Sequence, residues 1–312
     1  MKIFTDIDKF NVEKPVITIG TFDGVHIGHK KLLNDLITEA KLVGGNSTVF
    51  TFAVHPRKIL FPEQNLELLN STEEKKFLLE KVGLENLILF DFSKEFSQLS
   101  ANDFIEKILV NKLKIRKLIV GFNHQFGKDR MGNFEDLKKC ADKFRFEVKK
   151  IEAELDNEVE ISSTIIRNAL YKGEISVAKK YLGYYYFISG TVIEGNKLGR
   201  KLGFPTANIS IPNDKLLPLP GVYAVTIEVD NHQYEGMLNL GYRPTISSEL
   251  NKKNIEVNIF DFKRDIYGKE IRISFVGRIR DELKFAGLDE LKKQLNRDKK
   301  DSIKILSENL KK

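Results

Sequence analysis

Two histidines stand one helical turn apart in Thr18-Ile-Gly-Thr-Phe-Asp-Gly-Val-His26-Ile-Gly-His29-Lys-Lys-Leu-Leu33, in a chain that has only five. Each imidazole can donate an N–H to an anion. A short apolar run, Pro15 to Ile19, precedes them. Leu32, Leu33, Leu36, Ile37, Ala40 and Val43 follow at helical spacing. The pair therefore falls where a strand ends and a helix begins. That end of a helix presents unpaired backbone N–H groups and a partial positive charge, and it favours phosphate. Gly20 and Gly28 let a polyphosphate approach the backbone. Metal ligation is the weaker reading of an i, i+3 pair with no cysteine nearby, and an exposed polar pair is the plainest one.

Three other stretches carry chemistry. In Ile161-Ser-Ser-Thr-Ile-Ile-Arg167 the hydroxyls of Ser162, Ser163 and Thr164 precede an apolar helical pattern. They can cap that helix or, with Arg167 one turn along, clamp a phosphate; the two uses share one helix end. In Gly190-Thr-Val-Ile-Glu-Gly195-Asn-Lys197-Leu-Gly199-Arg200-Lys201-Leu-Gly203-Phe-Pro-Thr206-Ala-Asn208, glycines open the backbone to phosphate oxygens. Lys197, Arg200 and Lys201 add positive charge. Thr206 and Asn208 offer neutral oxygens of the kind Mg²⁺ accepts. A glycine-rich hairpin without a ligand is the competing reading. Finally, alternation in Ile255-Glu-Val-Asn-Ile-Phe-Asp-Phe262 puts Glu256, Asn258 and Phe260 on one strand face. A carboxylate there can take a proton from a hydroxyl nucleophile, although most strand glutamates are merely exposed.

Positioning these groups requires two kinds of element. Strand-like runs at Pro15–Ile19, Thr48–Phe52, Asn86–Phe90, Lys117–Val120 and Phe146–Ile151 alternate with helical patterns, among them 72–82, 101–113 and 134–144. Such alternation predicts a parallel sheet with helices on both faces, whose ligands bind beyond the carboxyl ends of the strands. Two loops fall at those ends. One is Ala53-Val-His55-Pro-Arg57, which the proline holds out of helix before it. The other is Gly121-Phe-Asn123-His124-Gln-Phe126-Gly127 through Gly132, whose aromatic and cationic residues suit a ring and a phosphate. A helix over 169–181 closes this part. From residue 184 onward, short β-branched and aromatic runs at 187–193, 222–229, 233–240, 255–261 and 270–276 predict a closed antiparallel barrel. A C-terminal helix begins near Leu288.

At 312 residues, with 41% hydrophobic and 30% charged, the chain fits two globular domains. Its net charge of +7 is spread out and lacks the clustered footprint of a nucleic-acid binder. One cysteine, Cys140, excludes an internal disulfide. There is no signal-peptide pattern and no membrane-length apolar run, so a soluble, cytoplasmic protein is expected.

The His-x-Gly-His string resembles the signature of the nucleotidyltransferase superfamily, which includes class I aminoacyl-tRNA synthetases. The longer Gly20-Thr-Phe-Asp-Gly-Val-His-Ile-Gly-His29 is narrower and resembles the N-terminal module of the prokaryotic bifunctional riboflavin kinase/FAD synthetases. The Gly199-to-Asn208 string, Pro220-Gly-Val-Tyr223, Asn239 to Thr245, Tyr267-Gly268 and Arg280-Asp-Glu-Leu-Lys-Phe285 resemble riboflavin kinase. This resemblance implies a Rossmann-like FMN adenylyltransferase domain at 1–183. It implies a β-barrel riboflavin kinase domain with a C-terminal helix at 184–312. It further implies two reactions in sequence, phosphorylation of riboflavin by ATP to FMN and adenylylation of FMN by a second ATP to FAD with release of pyrophosphate.

For the first site the resemblance implies ATP contacts by Gly20, Phe22, His26, Gly28, His29, Ser162, Ser163, Thr164 and Arg167, with His29 and Arg167 catalytic. For the second it implies phosphate contacts by Gly195, Lys197, Gly199 and Arg200, Mg²⁺ held by Thr206 and Asn208, and Glu256 as base. Flavin contacts are implied for His55, Arg57, Asn123, Phe126, Arg280 and Phe285. The sequence departs from the family pattern at Ala53-Val54, at His124 and at Asn258. A synthetase-like adenylating enzyme, or a flavin- or RNA-binding regulator with decayed sites, are the alternatives.

Overall fold

In the six-stranded sheet of the first half of the chain every pairing is parallel, and its inner strands are buried on both faces. The computed structural model describes residues 1–122, 127, 134–152, 155–156, 159–195, 198–243 and 252–310. Packing divides the chain into two compact units, Met1–Ser163 and Thr164–Lys312.

The first unit holds β1 (Lys2–Phe4), β2 (Pro15–Ile19), β3 (Asn46–Phe52), β4 (Asn86–Phe90), β5 (Lys117–Gly121) and β6 (Glu147–Ile151) in the order β1-β4-β3-β2-β5-β6. Val16, Ile17 and Thr18 of β2 are fully buried, as a central parallel strand requires. Helices α1 (Ile27–Leu42), α2 (Pro56–Leu60), α3 (Thr72–Val82), α4 (Lys94–Ser97), α5 (Ala101–Asp103) and α6 (Phe134–Phe144) lie between the strands. The helix expected over 101–113 is instead a turn of α-helix continued by a π-helix, Phe104–Lys112, which buries Phe104, Ile105, Ile108 and Leu109. A short antiparallel pair, β7 (Leu155–Asp156) and β8 (Val159–Glu160), follows. Successive strands run outward from β2 on one side through β3 and β4, then resume on its other side at β5. This reversal of strand order opens a crevice at the carboxyl ends of β2 and β5, where open α/β sheets take their ligands.

The second unit opens with α7 (Ser163–Tyr171) and α8 (Ile175–Leu182), separated by Gly173 at φ +72°, where one helix was expected. Both pack with the barrel: Leu219 N donates to Leu170 O at 2.9 Å, and α8 contacts the strand at 270–280. Packing therefore groups 164–182 with the barrel, ahead of the 183/184 boundary expected from the change in texture.

The barrel strands are β9 (Phe187–Ile193), β10 (Ala207–Ser210), β11 (Gly221–Val229), β12 (His232–Arg243), β13 (Lys252–Ile259) and β14 (Glu270–Arg280). They close antiparallel as β10-β13-β12-β11-β14-β9. Strand β10, which closes the barrel, is too short to read from its alternation. Helix α9 (Leu198–Leu202) precedes it, and α10 (Leu288–Leu310) ends the described chain. Among the described residues, no helix is long and apolar enough to cross a membrane.

Candidate active sites

The turn from β2 into α1 is held under strain. Phe22 and Val25 adopt φ of +49° and +35° around Gly24 at +91°. Such conformations cost non-glycine residues on the order of 1–3 kcal/mol each and persist only where packing fixes them. Here Phe22 and Val25 are buried. A Cβ on Gly20 would lie 3.0 Å from the Phe22 ring, so the missing side chain lets that ring fold back. It then reaches His29, with centroids 5.1 Å apart.

His26 caps α1. Its Nδ1 accepts from His29 N at 3.3 Å, so the ring proton sits on Nε2, which stays a donor. A Cβ on Gly28 would press on the His26 ring at 3.3 Å. The two imidazoles stack at 3.6 Å, inclined by 20°. Burial pushes His26 down to about 4, and burial first, then His26 and Lys75, holds His29 well below the ordinary histidine value. Both rings are thus neutral donors at physiological pH, and two imidazoliums stacked this closely would repel. His29 Nδ1 is buried with no protein partner.

Asp23, which the sequence pattern does not single out, joins three segments. Its carboxylate accepts from Leu69 N and Asn70 N, each at 3.2 Å, and its carbonyl accepts from Ser163 Oγ at 2.8 Å. Ser163 therefore ties its motif to the histidine turn, and Ser162 beside it is partly buried. Thr164 is exposed and Arg167 half-buried on α7, in the second unit. His55 caps α2, its Nδ1 accepting from Arg57 N at 3.2 Å, while exposed Arg57 donates to Gln64 Oε1 at 3.0 Å. Ala53 to His55 lie outside helix, as expected, while Pro56 and Arg57 open a short helix with proline at its first position. Asn123 and Phe126 lie outside the described residues, as does His124.

In the barrel, register puts Asn208 of β10 directly across from Glu256 of β13. Thr206 Oγ1 donates to Glu256 Oε2 at 3.4 Å and Asn254 Nδ2 donates to Glu256 Oε1 at 3.0 Å. Asn258 is buried, and its Nδ2 donates to Pro205 O at 2.6 Å, fixing the turn ahead of Thr206. A Cβ on Gly195 would fall 2.0 Å from Asn208 Nδ2, and one on Gly199 2.2 Å from Phe204 O. These glycines are therefore required for the glycine-rich segment to close over β10. Lys197 lies outside the described residues. A cleft of about 400 Å³ runs from Arg200, Thr206 and Ala207 to Phe262, Lys263 and Tyr267. The 262–267 loop forms one wall of this cleft, which Val257 and Ile259 also line, on the face of β13 opposite to Glu256.

Arg280, expected to contact flavin, is held by partners within the barrel unit. Its Nε and Nη2 donate to Asp298 at 2.9 and 2.7 Å, and Nη1 donates to Asp281 O at 2.8 Å. Asp298 is fully buried on α10. The pair clamps that helix to β14, and Phe285 lies 5.9 Å from the guanidinium. The oxygens of Thr206, Asn208 and Glu256 form a hard donor set of the kind a divalent cation shares with phosphate.

A family model for FAD synthetase matches residues 8–165, and one for riboflavin kinase matches residues 182–306. The bifunctional riboflavin kinase/FMN adenylyltransferase of Bacillus subtilis (strain 168) is 37% identical, over 94% of this chain and 93% of its own. That of Listeria monocytogenes is 38% identical, over 96% and 93% respectively. A solved structure from Streptococcus pneumoniae, described as a macrolide-efflux protein, matches with a TM-score of 0.86 and 32% identity. It covers 96% of this chain and 97% of that one. With two matched modules in the same order as the two sites, this chain belongs to the bifunctional riboflavin kinase/FMN adenylyltransferase family.

Proposed function

We propose that residues 184–312 phosphorylate riboflavin with ATP and that residues 1–183 transfer AMP from a second ATP to the FMN so formed, giving FAD and pyrophosphate. The observation that carries this division of labour is the Thr206–Glu256 contact across β10 and β13. The two chemistries differ in their nucleophile. Riboflavin attacks the γ-phosphorus through an alcohol, which must lose its proton and needs a base. Glu256 takes that proton, and ADP leaves. FMN attacks the α-phosphorus through a phosphate oxygen that is already ionised near neutral pH. That site needs donors to the polyphosphate rather than a base, and His26 and His29 are neutral donors on a helix N-terminus.

Thr206 and Asn208 hold Mg²⁺ in this reading; when bound there, the ion neutralises charge on the transferring phosphate. Because Thr206 gives its proton to Glu256, its oxygen lone pairs face no competing donor of its own. Gly195, Lys197, Gly199 and Arg200 hold ATP phosphates in the barrel. Gly20, Phe22, Gly28, Ser162, Ser163 and Thr164 shape the first phosphate site. His55, Arg57, Asn123, Phe126, Arg280 and Phe285 contact flavin, with Asp298 holding the Arg280 guanidinium beside Phe285. A cytoplasmic location is part of this reading and fits ATP as substrate. A synthetase-like activity leaves the barrel without a role.

Incubation with riboflavin and ATP, followed by chromatography, is expected to give FMN first and FAD after it, with one pyrophosphate per FAD. Absence of FMN, or FMN that never becomes FAD, overturns the reading. Arg167 adds a sharper test. A guanidinium grips phosphate with two parallel hydrogen bonds that an ammonium cannot copy. Arg167→Lys is expected to slow adenylylation of FMN while riboflavin phosphorylation proceeds normally. Unchanged adenylylation kinetics reduce Arg167 to a residue on the surface of α7.

A further inference from the structure

One polar side chain of the barrel stands where packing alone would ask for an apolar one. Asn258 is 6% exposed and lies between Glu256 and Phe260 on one face of β13. Met237 is directly across from it on β12, and Met237 and Phe260 pack in one cluster with Phe204 and with Leu306 of α10. A carboxamide beside such a layer is costly unless it is hydrogen-bonded. Its Nδ2 donates to Pro205 O at 2.6 Å. That carbonyl shares a rigid peptide plane with the nitrogen of Thr206, so holding it sets how Thr206 leaves the turn. On the other side of Thr206, Ala207 pairs with Val257 in the ladder. Thr206 is thus clamped between two points of β13, and its Oγ1 meets Glu256 Oε2 at 3.4 Å.

We propose that Asn258 is a positioning residue of the kinase site, which sets the affinity for the magnesium nucleotide by fixing the Pro205–Thr206 peptide. The inference rests on the reading of Thr206 as a Mg²⁺ ligand. Mg²⁺ demands near-ideal octahedral geometry with oxygens at about 2.0–2.1 Å, so a threonine oxygen that wanders by a few tenths of an ångström serves it poorly. An oxygen held in place beforehand spares the bound state the cost of ordering it. Proline already fixes φ at position 205 and brings no N–H of its own. The remaining soft torsion is ψ of Pro205, and the bond from Asn258 removes it. Two residues earlier on the same strand face, Asn254 Nδ2 holds the other oxygen of Glu256, Oε1, at 3.0 Å. One face of β13 therefore steadies both the base and the threonine.

The test is a double-mutant cycle on the full chain. Asn258→Leu keeps the shape and loses the donor; Thr206→Val keeps the shape and loses the oxygen. ADP is titrated calorimetrically at saturating Mg²⁺ and again in a chelator, and kcat for riboflavin phosphorylation is measured beside it. The first site is the same in all the proteins compared, so differences between them belong to the barrel. Each single substitution is expected to weaken Mg-ADP roughly ten-fold and to lower kcat about 10- to 100-fold, with ADP affinity in chelator unchanged. The double variant is expected to be no worse than Thr206→Val alone, because Asn258 acts through the residue already altered. Asn258→His, whose ring N–H can take the place of the amide N–H, should restore most of both.

Losses that add in the double variant, or that are as large in chelator as in Mg²⁺, reduce Asn258 to barrel packing and overturn the proposal. Wild-type Mg-ADP affinity in Asn258→Leu overturns it as well. Unchanged Mg-ADP binding by Thr206→Val is a different result: it removes the assignment of Thr206 to the ion, and the proposal falls with it. Thermal unfolding reports whether the barrel is folded, and Asn258→Ala, too short to reach Pro205 O, replaces Asn258→Leu if that variant is not.

Discussion

Glu256→Gln is expected to form FMN from riboflavin roughly 10²–10⁴ times more slowly than the wild type, the usual contribution of a general base. The substitution preserves shape and most of the hydrogen bonding. The amide oxygen can still accept from Asn254 Nδ2, and the amide N–H can donate to Thr206, whose hydroxyl rotates to accept. What disappears is the basic oxygen. Because Thr206 and Asn208 remain in place on β10 and the turn before it, the KM for Mg-ATP should change far less than kcat. Supplied with FMN, the same variant should make FAD at the normal rate. Wild-type phosphorylation of riboflavin by Glu256→Gln means that the base lies elsewhere. Loss of the FMN-to-FAD step as well means that the two modules are not independent, or that the variant has not folded.

His29→Ala should have the opposite signature, with FMN accumulating and FAD formation falling about 10²–10³-fold, as for loss of one donor to a transition-state oxyanion. His26 keeps its place in this variant through the helix start, although its Nδ1 interaction is with the backbone N–H of residue 29 and survives the side-chain change. The pH dependence separates neutral donation from charge. The folded His29 value is lowered, so above the ordinary value of 6.5 its protonation does not change, and the neutral form persists as the pH falls below it. The ratio of wild-type to variant rates should therefore be the same at pH 8 and pH 6. A ratio that grows in acid shows that an imidazolium acts on the phosphate, and it contradicts the neutral assignment.

How much of this was visible in the chain itself depends on the range of each interaction. Local patterns carried the parallel sheet, most barrel strands and the anion-binding character of the β2–α1 turn, because strand alternation, helical spacing and glycine at tight turns act between near neighbours in sequence. The motif around Thr206 and Asn208 was legible for the same reason. Its partnership with Glu256 was not: that depends on β10 closing the barrel against β13, a pairing of segments some fifty residues apart that no periodicity encodes. Likewise Asp23 looks like an ordinary turn residue until Leu69, Asn70 and Ser163 converge on it.

Two assignments turned on burial. The sequence alone proposes His26 and His29 as phosphate donors, but whether they are charged is decided by the walls around them, since desolvation disfavours the imidazolium. The sequence alone placed Arg280 in a kinase motif, but a fully buried Asp298 on α10 takes its guanidinium, because a buried carboxylate left without that partner would be far more costly. Residue types and short spacings thus determined which chemistry this protein can perform. Tertiary structure decided which groups meet and in what protonation state, because long-range pairing and the loss of water exist only in the folded chain.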